Sequence, residues 1–214
     1  MVGRATDAPE QPQRDVAEGW TAAIEAAGLP VAWTEGARPR PRIAFGAPLP
    51  VGMAANAELI DVVISERWPG WRVRDALADH IPAGWRLVDL HDVWLAGPPL
   101  AGRVAAADYR VTLSGDVPID ALRAAASELL ARPRISRQRA KGDDNVEYDL
   151  RPLLIDVAID DGPPAAVITR TRFHPELGTG RPDEVVAALG EQAGLPLAID
   201  SIVRDQLILA EDLA

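Results

Sequence analysis

Cysteine is absent from this 214-residue chain. That excludes disulfides, thiolate-held iron–sulfur clusters and cysteine nucleophiles. Histidine is scarce: His80, His91 and His174 stand apart, in neither an H-x-x-x-H nor an H-x-H spacing, so no metal site is expected. No apolar run approaches the roughly 18 residues needed to cross a bilayer. The N-terminus has no basic start leading into an apolar stretch, so no secretory signal is read and the expected location is cytoplasmic. Lysine is almost missing, since Lys141 is the one non-arginine among 22 basic residues. A lone lysine fits either a position that needs a compact ammonium or chance. Positive charge is also in deficit: the net charge of −10 argues against a general nucleic-acid binder, which needs a basic face. Any anion site must therefore be local.

What is present is ordinary for a globular protein, with 48% hydrophobic and 25% charged residues. The length allows one large domain or two small ones. Residues 1–12 are polar and aperiodic and read as a disordered leader. From Gln13, the positions Val16, Trp20, Ala23, Ile24 and Ala27 give a helical stripe that Gly28 and Pro30 end. Val31 to Trp33 begins a strand, Arg42 to Gly46 is extended, and Glu58 to Ser65 reads as a buried strand. A short helix carrying Val73, Ala76, Leu77 and His80 follows, then a strand from Trp85 to Trp94. Ala96 to Gly102 punctuates the middle of the chain.

Beyond it lie a strand at 107–113, a helix at 119–130, a strand at 135–139 and a polar loop at 142–145. An alternating strand over 153–159, a strand at 166–173, a helix at 182–189 and a strand at 202–209 complete the chain. The fold class expected is α+β, a tandem of two ferredoxin-like βαββαβ units, the first lacking its opening strand. Its boundaries are 13–104 and 105–214, after the leader at 1–12.

Two basic clusters stand out. In the first, Arg38, Arg40 and Arg42 alternate with Pro39 and Pro41. Each proline fixes its own φ and holds the residue before it extended, which makes a stiff arm carrying guanidinium groups. Such an arm suits phosphate or an acidic partner, although prolines and charges also protect an edge strand from aggregation. In the second, Arg137, Arg139 and Lys141 share one strand face, with Asp149 and Arg151 across a loop. This set reads either as an anion site in which Asp149 orients an arginine, or as cross-strand ion pairs on an exposed sheet. Glu58 and Asp61 are three apart and point to opposite strand faces, so they make no catalytic pair. Gly178 to Arg181 reads as a plain turn before a helix, because the phosphate-loop pattern with its lysine is missing. Trp68 and Trp71 flank a Pro-Gly turn, where exposure for stacking competes with partial burial. No residue set names a reaction, so no catalytic residue and no cofactor is expected.

These segments recur in order in a known family. The matches are Ala27-Gly-Leu-Pro30, Glu35, Gly36, Pro39, Arg40, Pro41, Ile43, Phe45, Pro48, Leu49, Pro50, Gly52, Glu58 and Asp61. Further on come Tyr109-Arg-Val111, Arg139 with Lys141-Gly142, Asp149-Leu-Arg151-Pro152 and Gly180-Arg181-Pro182. Over about residues 15 to 210 the chain thus resembles the radical-SAM-associated (radical-SAM-linked) proteins, a bacterial domain family of unknown function. It departs from them at the start, where Gln13 stands in place of a histidine and Asp15 alone remains of a short motif. Ala37 and Arg38 replace the family's Phe-Asn, and Glu18, Ala22, Glu25 and Ala26 occupy a helix that is commonly arginine-rich.

The resemblance implies an accessory domain that presents a substrate, RNA among the candidates, to a radical S-adenosylmethionine protein. The chain lacks the three-cysteine cluster motif and so cannot run that chemistry itself. The expected function is therefore a non-catalytic accessory domain that binds an anionic ligand or RNA and works with a radical S-adenosylmethionine enzyme, with no membrane partner. An RNA- or nucleotide-acting enzyme and a purely structural protein-interaction module are the alternatives.

Overall fold

The computed structural model describes residues 1–93, 98–141 and 144–213. The chain divides into two compact units, Met1–Val104 and Ala105–Ala214. Among the described residues no helix is long and apolar enough to cross a membrane.

The first unit runs β1 (Val2–Arg4), α1 (Gln13–Ala26), β2 (Ile43–Phe45), β3 (Ala54–Glu58), β4 (Ile60–Val62), α2 (Gly70–Leu77) and β5 (Trp85–Leu87). The N-terminal residues are not a loose leader. β1 lies between β3 and β5 and pairs antiparallel with both, so a strand does precede α1 in this unit. Val2 is buried with Val16 and Trp20 of α1. Arg4 is buried as well and donates to the carbonyls of Met53 and, at 2.7 Å, Pro9. The Arg86 guanidinium crosses over Gly3, where a Cβ would lie 2.6 Å from its central carbon and would push that exposed side chain aside. Trp20 meets Trp85 edge-on, with ring centroids 5.9 Å apart.

The strand expected over 58–65 is broken at Leu59, whose carbonyl accepts from the Gly46 N–H at 2.9 Å. As a result β3 pairs with β1 while β4 pairs with β2. β5 ends at Leu87, well short of the expected Trp94, because the Val88 and Asp89 N–H groups turn to the Met1 carbonyl. Trp94 and Ala96 lie outside the described residues.

The second unit runs β6 (Val104–Leu113), α3 (Ile119–Ala131), β7 (Ser136–Lys141), β8 (Asp144–Asp149), β9 (Leu154–Asp160), β10 (Ala166–His174), β11 (Gly178–Thr179), α4 (Pro182–Ala193) and β12 (Ile199–Leu209). Its sheet order is β9-β10-β6-β12, with the short β11 at the end of β10. Odd-numbered residues of β6 and β10, such as Val111, Leu113 and Val167, face a core built with Leu122, Leu129, Val185 and Leu189 of α3 and α4. That path, β6-α3-β9-β10-α4-β12, is a βαββαβ order. The strand expected at 135–139 is not part of this sheet. It is β7 and forms a separate two-stranded hairpin with β8. Of the polar loop expected at 142–145, Gly142 and Asp143 lie outside the described residues, and Asp144 and Asn145 already belong to β8. The molecule is thus α+β, and its units are compatible with ferredoxin-like arrangements.

Candidate functional site: an arginine hairpin

The Arg/Pro arm is a pinned hairpin rather than a free extended segment. Trp33 and Pro41 face each other across it. The Thr34 N–H donates to the Arg40 carbonyl and the Arg42 N–H to the Ala32 carbonyl, each at 2.8 Å. Both bonds flank the Trp33–Pro41 pair, so Pro41 sits where its missing N–H would point away from the partner strand and no ladder bond is lost. The Arg40 N–H donates to Thr34 Oγ1 at 2.9 Å. Gly36 takes φ +119° at the tip, a conformation other residues rarely adopt.

At the root, Val63 N–H donates to the Arg42 carbonyl and Ala32 N–H to the Val63 carbonyl. With the Arg42-to-Ala32 bond these close a ring of three hydrogen bonds, which fixes the arm to Val63, the residue after β4. Alternation along the strand places Arg40 and Arg42 on one face, with Arg38 near the tip. All three side chains are exposed, and none has a hydrogen-bond or ion-pair partner among the described residues. Asp61 is exposed on β4, whereas Glu58 is buried on β3, so the two acids are separated as their spacing requires.

The second cluster is largely committed to holding the fold. Arg137 is 14% exposed and reaches two carboxylates of α4: Nε to Glu184 at 2.7 Å and Nη1 to Glu191 at 2.6 Å. Burial alone would lower its pKa, but the bonds to Glu191 and Glu184 outweigh burial and raise it. Among the described residues Asp149 orients no guanidinium. Its Oδ1 accepts the backbone N–H groups of Ile135 at 2.9 Å and Arg151 at 3.0 Å, which ties the two ends of the hairpin. Arg151 is not on the strand but opens a 3-10 turn, Arg151–Leu153. Its guanidinium donates to the carbonyls of Arg132 at 3.1 Å and Leu154 at 2.9 Å. Arg139 is exposed and lies 5.5 Å from the Tyr148 ring centroid. Lys141 closes β7, with its backbone opposite Asp144; its side chain is outside the described part of the structure.

A third charged set escaped the sequence reading. On the outer face of the second unit's sheet, Arg170 holds Asp108 through two bonds of 2.7 and 2.9 Å, and Gln206 donates to the same carboxylate at 2.8 Å. Arg110 pairs with Asp160 at 2.6 Å. Burial works to raise the Asp108 pKa, but the Arg170 and Gln206 hydrogen bonds prevail and hold it below the usual carboxylate range. The alternation of Asp108 with Arg110 was the available signal. These charges neutralise one another, whereas the arm's do not.

A family model described as "Uncharacterized protein conserved in bacteria (DUF2344)" matches residues 12–182, from the residue before α1 to the first residue of α4. The chain belongs to the DUF2344 family. The match spans the arm and the β7–β8 hairpin of this DUF2344 chain, as well as its Asp108–Arg170 pair. No match is found among curated proteins. Among solved structures, the chain is similar to one from the crystal structure of the archaeal box H/ACA sRNP Nop10-Cbf5 complex, at 14% identity and a TM-score of 0.44. The likeness covers 96% of this chain and 46% of that one, so the chain spans less than half of the similar protein's length.

Proposed function

We propose that this DUF2344 chain is a non-catalytic accessory domain whose arginine hairpin binds an anionic ligand, with the phosphates of RNA as its target, beside a radical S-adenosylmethionine enzyme. One observation carries the reading. Among the described residues the side chains of Arg38, Arg40 and Arg42 are exposed and without partners, on a hairpin braced at root and tip, in a protein of net charge −10. Elsewhere in the described structure Arg137, Arg151 and Arg170 are consumed by carboxylates or carbonyls. Prolines and the hydrogen-bonded root reduce the ordering that a ligand would have to impose. Guanidinium forks pair with phosphate oxygens bidentately. The partner class rests on the resemblance of the arm and its flanking motifs to the radical-SAM-associated proteins.

The test is a tagged purification from cells that also express a radical S-adenosylmethionine protein of the same bacterium. The wild-type chain is expected to retain that protein together with RNA that high salt releases. The Arg38→Ala, Arg40→Ala, Arg42→Ala triple variant is expected to keep the protein and lose the RNA. Equal RNA on the triple variant would remove the arm from the account, and absence of the protein would remove the partner class.

A further inference from the structure

We propose that Trp68, Arg72 and Trp71 form a stacking site for an unpaired base of an RNA strand whose phosphates the arm holds; the identity of the strand rests on the reading above. α2 begins at Gly70, directly after Pro69, and packs Val73, Ala76 and Leu77 against the cluster of Ile24, Leu29 and Val31. At 100° per residue, Trp71 points away from that face. It is 67% exposed and contributes nothing to the core. Arg72 lies on the flank and folds back over Trp68, its guanidinium carbon 3.6 Å from the ring centroid. Its neighbours are paired, Arg67 with Asp92 at 3.3 Å and Arg74 with Asp89 at 3.9 Å. Arg72 has no acid partner among the described residues.

A guanidinium stacked on an indole is held flat on one side and open on the other. A flat cation beside an exposed indole recognises a π-face, and unpaired bases offer one. An acidic peptide would use the charge but not the plane. The patch also stands next to the arm. Trp68 packs on the cluster that includes Val31 and Ile43, the roots of the two arm strands. Trp33, 52% exposed, lies two residues beyond Val31 and projects to the same side of its strand. Trp33 pairs with Pro41, so this side is the one opposite Arg40 and Arg42, and a strand held by those guanidiniums reaches the aromatic surface across the arm's edge.

Two probes separate stacking from charge: a fluorescein-labelled single-stranded oligoadenylate, read by anisotropy, and inorganic polyphosphate, read by competition. Arg72→Lys keeps the charge and loses the plane, while Trp71→Ala removes a solvent-facing ring. Each is expected to weaken oligoadenylate binding by about 5- to 100-fold and to leave polyphosphate affinity unchanged. Arm variants are expected to weaken both. Wild-type-like oligoadenylate binding by both patch variants, parallel losses on the two probes, or no oligoadenylate binding by the wild-type chain would each overturn the stacking site. Undiminished polyphosphate binding by arm variants would instead refute the arm, and the patch variants would still report on stacking. Thermal melting of each variant identifies any that fails to fold, and Trp71→Ala is expected to melt like the wild type.

Discussion

Replacing Arg137 with methionine separates its structural role from a ligand role. Methionine keeps most of the length and apolar stem but removes the charge and both donors. The side chains of Arg137 and Glu184 are 14% and 18% exposed, so the bond between them is largely sheltered from solvent. A hydrogen bond of this charged kind contributes about 1.5–3 kcal/mol. The Glu191 partner is 70% exposed, and that pair adds about 0.5 kcal/mol or less. The expected loss is therefore about 2–3 kcal/mol, or roughly 5–10 °C in Tm for a domain of this size. Glu184→Gln should reproduce much of it, Glu191→Gln very little, and a double-mutant cycle between Arg137 and Glu184 should show clear coupling. Calorimetry and urea unfolding measure these values, and RNA affinity of the folded variant should stay near wild type. An unchanged Tm with a sharp fall in RNA affinity would refute the structural assignment and restore Arg137 to the ligand site.

Two further outcomes follow from the same structure. Because the Asp108 pKa is depressed in the folded state, its contribution is present above the unfolded carboxylate value of about 3.9 and is lost as pH falls through the folded one. Asp108→Asn should therefore be less stable at pH 7 and show a flatter acid limb in urea midpoints below about pH 4; an acid limb identical to wild type would contradict the assignment. Val2→Asp places a carboxylate at a position 3% exposed beside Trp20 and should cost about 3 kcal/mol, whereas a change within about 0.5 kcal/mol would mean that β1 is not a working part of the sheet.

The long amphipathic elements were legible in the sequence. Val16, Trp20, Ala23 and Ile24 are the buried stripe of α1, and α3 and α4 begin at Ile119 and Pro182 as their spacing and the helix-starting proline imply. β1 was not legible, because three residues carry no periodicity and a buried arginine in them looks like surface; its place depends on β3 and β5, which are more than 50 residues away. The break at Leu59 was hidden for a related reason, since β-branched residues favour a strand without saying which neighbour it joins. At the site, the alternation of proline and arginine marked an extended, charged arm, but not the Trp33–Pro41 pairing that folds it into a hairpin. The commitment of Arg137 was invisible, because Glu184 and Glu191 lie 47 and 54 residues away in sequence. Arg137 and Arg38 look alike in one dimension and differ only in what the fold brings to them.

The arm's role is most directly measured by the salt dependence of single-stranded RNA binding by the purified chain. Each lost contact to a single-strand phosphate should flatten the plot of log affinity against log salt by about 0.7. The Arg38, Arg40, Arg42 triple alanine variant should therefore show a slope shallower than wild type by about 2. Parallel lines for the two proteins would contradict the claim that these three guanidiniums hold the strand.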